Sequence, residues 1–178
     1  MKKNKVLLIA TCLIGCALLF HSCFSIKQSS TRSKAKIYET FYIDNSVIQH
    51  FIKPVIFKTI DSNQLCYIDF TYREDNWPNE ELKKVTVNFS VFSNTTNRHF
   101  DVFKIENGNS VAIIQDYRLL FSEIQKGKNV SRYSAELSME TFKKLMLRSD
   151  WTINLKNIHN DLYFYPTKKT RKILNELR

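Results

Sequence analysis

The chain has 178 residues, 43% of them hydrophobic and 25% charged, which suits one globular domain more readily than two. It carries 27 Lys and Arg against 17 Asp and Glu, a formal net charge of +10 that favours an anionic surface without naming one. Its three glycines, Gly15, Gly108 and Gly127, cannot supply a GxGxxG turn, a phosphate-cradling P-loop or a GxSxG elbow, so those nucleotide-binding and hydrolase classes are excluded.

The chain opens with MKKNK and continues with VLLIATCLIGCALLF, residues 6–20, which holds no charge. A basic start followed by an apolar run of this length is the pattern of an export signal. The run is short for a bilayer crossing, which needs roughly 20 apolar residues, although an uncleaved anchor could draw His21 to Phe24 into the headgroup zone. Under either reading the lysines stay inside and the rest of the chain is exported, because positive charge resists translocation.

The apolar run ends in LLFHSCFS, residues 18–25, where Phe20, His21 and Ser22 stand in front of Cys23. This stretch resembles a bacterial lipoprotein signal, whose lipobox is an apolar residue, small residues and then the cysteine that is lipidated. Phe20 stands where that family usually has Leu, and His21 is larger than its usual residue. A second match, Leu13-Ile14-Gly15-Cys16, lies upstream, but cleavage there would leave ALLF exposed at the new N-terminus. Cleavage before Cys23 consumes the whole apolar run, so the resemblance implies a signal peptide over 1–22 and lipidation at Cys23. With Phe24 rather than Asp after the cysteine, it further implies the outer membrane of a Gram-negative cell. Unprocessed, the N-terminal cysteines would instead be small buried hydrophobes of an anchor helix. With Cys12 and Cys16 removed and Cys23 acylated, Cys66 is the one thiol left and no disulfide framework exists; lipidation of Cys16 would leave Cys23 and Cys66 able to pair.

Residues 23–36 then read as the lipidated cysteine and a flexible basic tether. SIKQSSTRSKAK carries Lys27, Arg32, Lys34 and Lys36 with no acid, and it cannot bury apolar surface. A single domain is expected over 37–178. Strands are expected near 36–43, 53–60, 98–105, 110–117 and 130–137, and DNSVIQHF (44–51) reads as one or two helical turns capped by Asp44 or Ser46. QLCYIDFTYR (64–73) alternates, with Cys66, Ile68, Phe70 and Tyr72 on one face, which makes Cys66 a core filler. KKVTVNFSVFS (83–93) alternates in the same way, with Val85, Val87, Phe89 and Val91 together. EDNWPNEEL joins the two, and SNTTN, ENGN and QKGKN are turns.

The C-terminal third changes character. Ser138 can cap a helix over 139–148 whose Met139, Phe142, Leu145 and Met146 share a face, with Glu140 early and Lys143, Lys144 and Arg148 late, as the helix dipole prefers. WTINLKN (151–157) and LYFY (162–165) form a hairpin about NIHND, with Trp151, Ile153, Leu155, Leu162 and Phe164 inward. Pro166 and Thr167 open a last helix with Ile173, Leu174 and Leu177 as its apolar stripe. The fold class is therefore α+β: a strand-rich, mostly antiparallel sheet followed by a helix–β-hairpin–helix C-terminal unit.

Residues for chemistry are sparse. His50, His99 and His159 are far apart, belong to no HExxH, and lack a cysteine pair for zinc, so each reads as a surface or strand-edge residue. Glu74, Asp75, Glu80 and Glu81 lack the spacing of a calcium loop and read as solvated turn acids. Trp77 beside them is either a partner anchor or a plug folded onto the sheet. Lys168, Lys169, Arg171 and Lys172 crowd the first turns of the last helix against the dipole preference, which makes them, with Trp77, the contact patch to examine. No cofactor or metal is expected. The expected partners are a membrane, through the lipid anchor, and an envelope protein; nucleic acid is not expected, since export removes the domain from it. A binding or scaffolding module, such as an accessory part of an envelope assembly or secretion machine, ranks ahead of a protective protein that occludes a toxin or hydrolase. An envelope enzyme using the 74–81 acids or a histidine comes last.

Overall fold

A computed structural model describes residues 37–44, 47–61, 63–75, 83–96 and 98–177. The N-terminal run with Cys16 and Cys23, the tether, Ser46, Trp77, Glu80 and Glu81 lie outside the described residues. Ten strands are present: β1 (Tyr38–Asp44), β2 (Val47–Lys58), β3 (Leu65–Asp75), β4 (Lys84–Ser93), β5 (Val102–Glu106), β6 (Val111–Ile114), β7 (Tyr117–Gln125), β8 (Lys128–Ser138), β9 (Thr152–Lys156) and β10 (Asp161–Pro166). Two helices accompany them, α1 (Met139–Met146) and α2 (Lys168–Glu176). No described helix is long and apolar enough to cross a membrane.

The strands form one antiparallel sheet in the order β6-β5-β9-β10-β2-β3-β4-β8-β7, with β1 paired to β2 off this path. The two ends of the path, β6 and β7, follow one another in the chain with only Gln115 and Asp116 between them. The sheet therefore curls back toward its own start as a near-barrel. This is the strand-rich α+β class that alternation predicts. The hairpin β9–β10 does not stand apart from the sheet: it lies between β5 and β2, held on the β2 side by two residue pairs, Tyr165 with Lys58 and Pro166 with Phe57.

Alternation sets which side chains fill the interior. Cys66, Ile68 and Phe70 of β3 and Val85, Val87, Phe89 and Val91 of β4 are buried together. They meet Phe103 and Ile105 of β5 and Ile153 and Leu155 of β9 from the opposite wall. Phe89 stands 4.1 Å from Phe103 and Phe70 lies edge-on to Trp151 at 5.7 Å, ring centre to ring centre. The outer face of β3, β4 and β8 is polar but tightly made. Asp69 accepts from Asn88 at 2.9 Å and from Arg132 at 2.8 Å, and Arg132 also donates to Ser90 at 2.9 Å.

Turn chemistry places the breaks. Lys126 and Gly127 both have positive φ, +50° and +77°, so the β7–β8 hairpin closes through a two-residue turn that favours glycine. In the β9–β10 turn the Asn157 side chain accepts from the amides of His159 and Asn160 at 2.9 and 2.8 Å. Ser138 caps α1 and Thr167 caps α2, each accepting a backbone N–H at 3.1 Å.

Two expectations fail. The stretch 47–51 is not helical: it begins β2, because Val47 to Ile52 pair with β1 on one side and β3 on the other, and two ladders outweigh one local cap. The expected strand 110–117 is two elements. It stops at Ile114, turns at Gln115 and Asp116, and Tyr117 starts β7 on the far edge of the sheet.

Candidate functional site

The structure separates the residues singled out by sequence. On α2, Lys169 and Lys172 line a groove against β2, whereas Arg171 is not part of that lining and its charge helps, after Arg148, to hold the Asp150 carboxyl low. Lys168 is exposed beside them. His99 is exposed, with its Nδ1 3.1 Å from the Tyr117 hydroxyl, and His159 is exposed in the β9–β10 turn. Cys66 is fully buried, and burial pushes its thiol up, so it is an inert filler.

His50 departs from the expectation of a surface or edge residue. It sits in the N-terminal half of β2 between two paired strands, opposite Thr40 of β1 and Tyr72 of β3, and is 7% exposed. A polar ring at that depth needs partners on both nitrogens, and it has them. Nδ1 meets the Tyr38 hydroxyl, and Nε2 lies 2.9 Å from a Glu74 carboxylate oxygen. The Tyr38 and Tyr72 hydroxyls are 3.1 Å apart, and the Tyr72 ring stacks on the imidazole at 4.7 Å. Burial raises both phenols; at Tyr72 the hydrogen bond with Tyr38 and the Glu74 charge add to it. Both tyrosines therefore keep their protons. One assignment of hydrogens satisfies the cluster: Tyr72 donates to Tyr38, Tyr38 donates to Nδ1, and Nε2–H donates to Glu74.

Tyr72 and Glu74 also belong to the wall of a groove of about 490 Å³ between the end of β3 and α1. Met139, Phe142 and Met146 of α1, with Leu147 and Leu177, make its apolar surface. Arg73, Lys83 and Lys143 make its rim, so Glu74, whose carboxylate is engaged by His50, is the one described acid among them. The groove is firmly built on the α1 side. Met139 N–H donates to Lys83 C=O at 2.9 Å and fixes the start of the helix to the start of β4. At the other end, the Asn107 side-chain amide and the Trp151 indole N–H donate to the Leu145 carbonyl at 2.7 and 2.9 Å. These bonds satisfy terminal carbonyls that a helix otherwise leaves open.

Sequence reading missed this groove. Phe142 and Met146 read as core stripe, and they are core on one side only: Phe142 packs on Phe70 and Tyr72, while Met146 is half-buried and Leu147 exposed. The signal available was Leu147 directly after Met146, one apolar residue more than the stripe needs. Glu74 alone of the 74–81 acids has its carboxylate placed, and it serves the histidine. Among the described residues no group of His, Cys, Asp and Glu could hold a metal ion.

Fold and site together define a strand-rich antiparallel near-barrel with an apolar, cation-rimmed groove beside a Tyr–His–Tyr–Glu cluster of which His50 is the buried member and Glu74 the exposed one. Comparison with family models, with curated proteins and with solved structures returned no match.

Proposed function

We propose that this chain is a lipid-anchored protein of the cell envelope, held at the outer membrane through Cys23, whose folded part is a non-enzymatic binding and scaffolding module. An accessory place in an envelope assembly or secretion machine fits that role. The anchor rests on the basic start, the apolar run and Phe20-His21-Ser22-Cys23. The binding role rests on the α1 groove. An open apolar surface with two adaptable methionines and a rim of Arg73, Lys83 and Lys143 suits an acidic, amphipathic segment of a partner protein. The finer reading of the fold, a helix–β-hairpin–helix unit at the C-terminal end, is supported by α1 and α2 flanking the β9–β10 hairpin in the chain, with Phe142 of α1 and Leu177, the C-cap of α2, both lining the groove.

The His50 cluster favours a second reading, an envelope enzyme working through Tyr38, His50 and Glu74. A hydroxyl, an imidazole and a carboxylate in sequence is an arrangement that activates nucleophiles. Against it, burial raises the Tyr38 phenol, the opposite of what a phenolate nucleophile needs, so the scaffold reading ranks first.

The test is an in-cell crosslink and pull-down of the tagged protein from solubilised membranes. An envelope protein recovered at near-stoichiometric yield supports the scaffold, whereas a toxin or hydrolase recovered instead makes the chain a protective protein. Loss of a glycan- or peptide-cleaving activity in a folded His50→Gln variant would overturn both in favour of the enzyme.

A further inference from the structure

The described chain enters the fold at one identifiable place. Ile37 C=O accepts from Lys53 N–H at 2.8 Å, and Tyr38 then pairs with Ile52 at the point where β2 bulges between Ile52 and Val55. Beside this entry runs a groove of about 630 Å³ between the β2 bulge and α2. Ile37, Pro54 and Ile173 give it an apolar floor, and Lys53, Lys169 and Lys172 give it positive charge. Lys53 pairs with Glu39, and Glu176, four residues after Lys172 on the same helix, is the one acid among the lining residues. Lys169 and Lys172 make no ion pair among the described residues. Lys169 and Lys172 are one turn apart on the side of α2 that faces the entry, and the first turn of α2 holds no acid.

The groove offers no rigid cage for a single small anion. Its one buried hydroxyl, Thr170, is committed to the backbone of Ile56 on both sides. What remains is a pair of long, mobile ammonium groups over an apolar floor, which suits a diffuse anionic layer. Phe24 to Lys36 comprise 13 residues and contain Lys27, Arg32, Lys34 and Lys36. Were they the tether that their composition predicts, a chain of that length would reach roughly 20 Å, and a domain anchored at Cys23 would have the Ile37 entry as its point nearest the bilayer.

We propose that the groove between the β2 bulge and α2 is a docking surface for the anionic headgroups of the membrane that carries the protein, with Lys169 and Lys172 as the phosphate-contacting side chains. The proposal rests on the reading of Cys23 as a lipid anchor. Docking would hold the α2 face down and leave the α1 groove to a partner.

The experiment uses the full processed protein reconstituted into vesicles of phosphatidylcholine alone or with added phosphatidylglycerol, with lysine acylation rates read by mass spectrometry. Lys169 and Lys172 should react several-fold more slowly in the phosphatidylglycerol vesicles, and salt should restore the rate, while Lys104 and Lys128 react equally in both. In Lys169→Glu/Lys172→Glu the protein should still float with vesicles, and Lys53 should react at its phosphatidylcholine rate. Equal rates for Lys169 and Lys172 in both vesicles, with the protein still floating, overturn the docking and leave the anchor standing. Failure to float with either vesicle, together with an intact mass lacking lipid on Cys23, overturns the anchor and the docking with it. Protection by inorganic phosphate in detergent equal to that by phosphatidylglycerol makes the groove a small-anion site instead.

Discussion

Thr170 bonds to both backbone groups of Ile56: its hydroxyl accepts from the Ile56 amide at 3.0 Å and donates to the Ile56 carbonyl at 2.5 Å. Ile56 lies on the edge of β2 in the gap between the stretch covered by β1, which ends at Ile52, and the stretch covered by β10, which begins at Phe57. A helix side chain thus stands in for a missing strand residue. Thr170→Val keeps the shape and removes both bonds; the Ile56 carbonyl retains the Thr167 N–H at 3.4 Å, so stability should fall by about 1–3 kcal/mol, the cost of leaving the Ile56 amide without a partner. Thr170→Ser should restore most of it. Urea denaturation of the three proteins checks this, and a Thr170→Val variant as stable as wild type would show that water replaces the hydroxyl.

The polar network on the outer face should respond asymmetrically. The Asp69 side chain is 1% exposed and that of Arg132 27%, so removing each leaves a different orphan. Arg132→Ala strands a buried carboxylate on Asn88 alone and should cost about 3 kcal/mol, whereas Asp69→Asn leaves Arg132 within reach of water and should cost about 1–2 kcal/mol. The two denaturation midpoints decide it; equal costs would mean that the pair contributes no more than its shape.

Alkali should unfold the domain. Burial pushes Tyr133 up to about 12, and Tyr38 and Tyr72 are raised as well. A phenol whose proton is held more tightly in the folded state contributes its stability below the unfolded value, about 10, and loses it as pH rises toward the folded value. Stability should therefore be flat to about pH 9.5 and fall through pH 10–12. The fall should be shallower in Tyr133→Phe when thermal midpoints are followed against pH.

In the α1 groove, Leu147→Glu and Lys143→Glu each place negative charge where an acidic amphipathic segment is proposed to bind. Each should reduce crosslinked partner about tenfold, which corresponds to about 1.4 kcal/mol. Ile113→Glu, exposed on β6, should not reduce it. An equal loss from all three would point to general surface charge rather than to this groove.

The N-terminus has its own check. Intact mass of protein from native membranes should match a chain beginning at Cys23 plus lipid. A species retaining Met1, or one lipidated at Cys16, would require a different anchor.

Alternation made β3 and β4 legible, and with them Cys66, because Val85 to Val91 and Cys66 to Phe70 repeat with period two against one core. It failed at β2 and β7 for opposite reasons. β2 carries Pro54 at its bulge and is preceded by capping residues, local signals that two neighbouring ladders override. β7 is an edge strand in which Tyr117 and Leu119 pack on the core while Leu120, Phe121 and Ile124 are exposed, and its register shifts between Leu119 and Phe121, so no clean alternation announces it. The His50 cluster was illegible for the first reason. Its members come together only through register, Thr40 opposite His50 and His50 opposite Tyr72, and a helical turn at 44–51 dissolves both pairings. The basic quartet was visible, but not that Lys169 and Lys172 alone of the four line the groove against β2.

β1 is paired only to β2, and its free end at Tyr38 is the end at which the chain enters. A load applied at Ile37 and directed away from β2 therefore acts as unzipping, one pair at a time, rather than as shear across the strand. Peeling the 7 residues of β1 would release roughly 20 Å of chain while β2 to β10 keep their ladders. The first side chain to leave would be Tyr38, the hydroxyl on His50, so a pull at Ile37 would be felt at the buried imidazole before it is felt by the core.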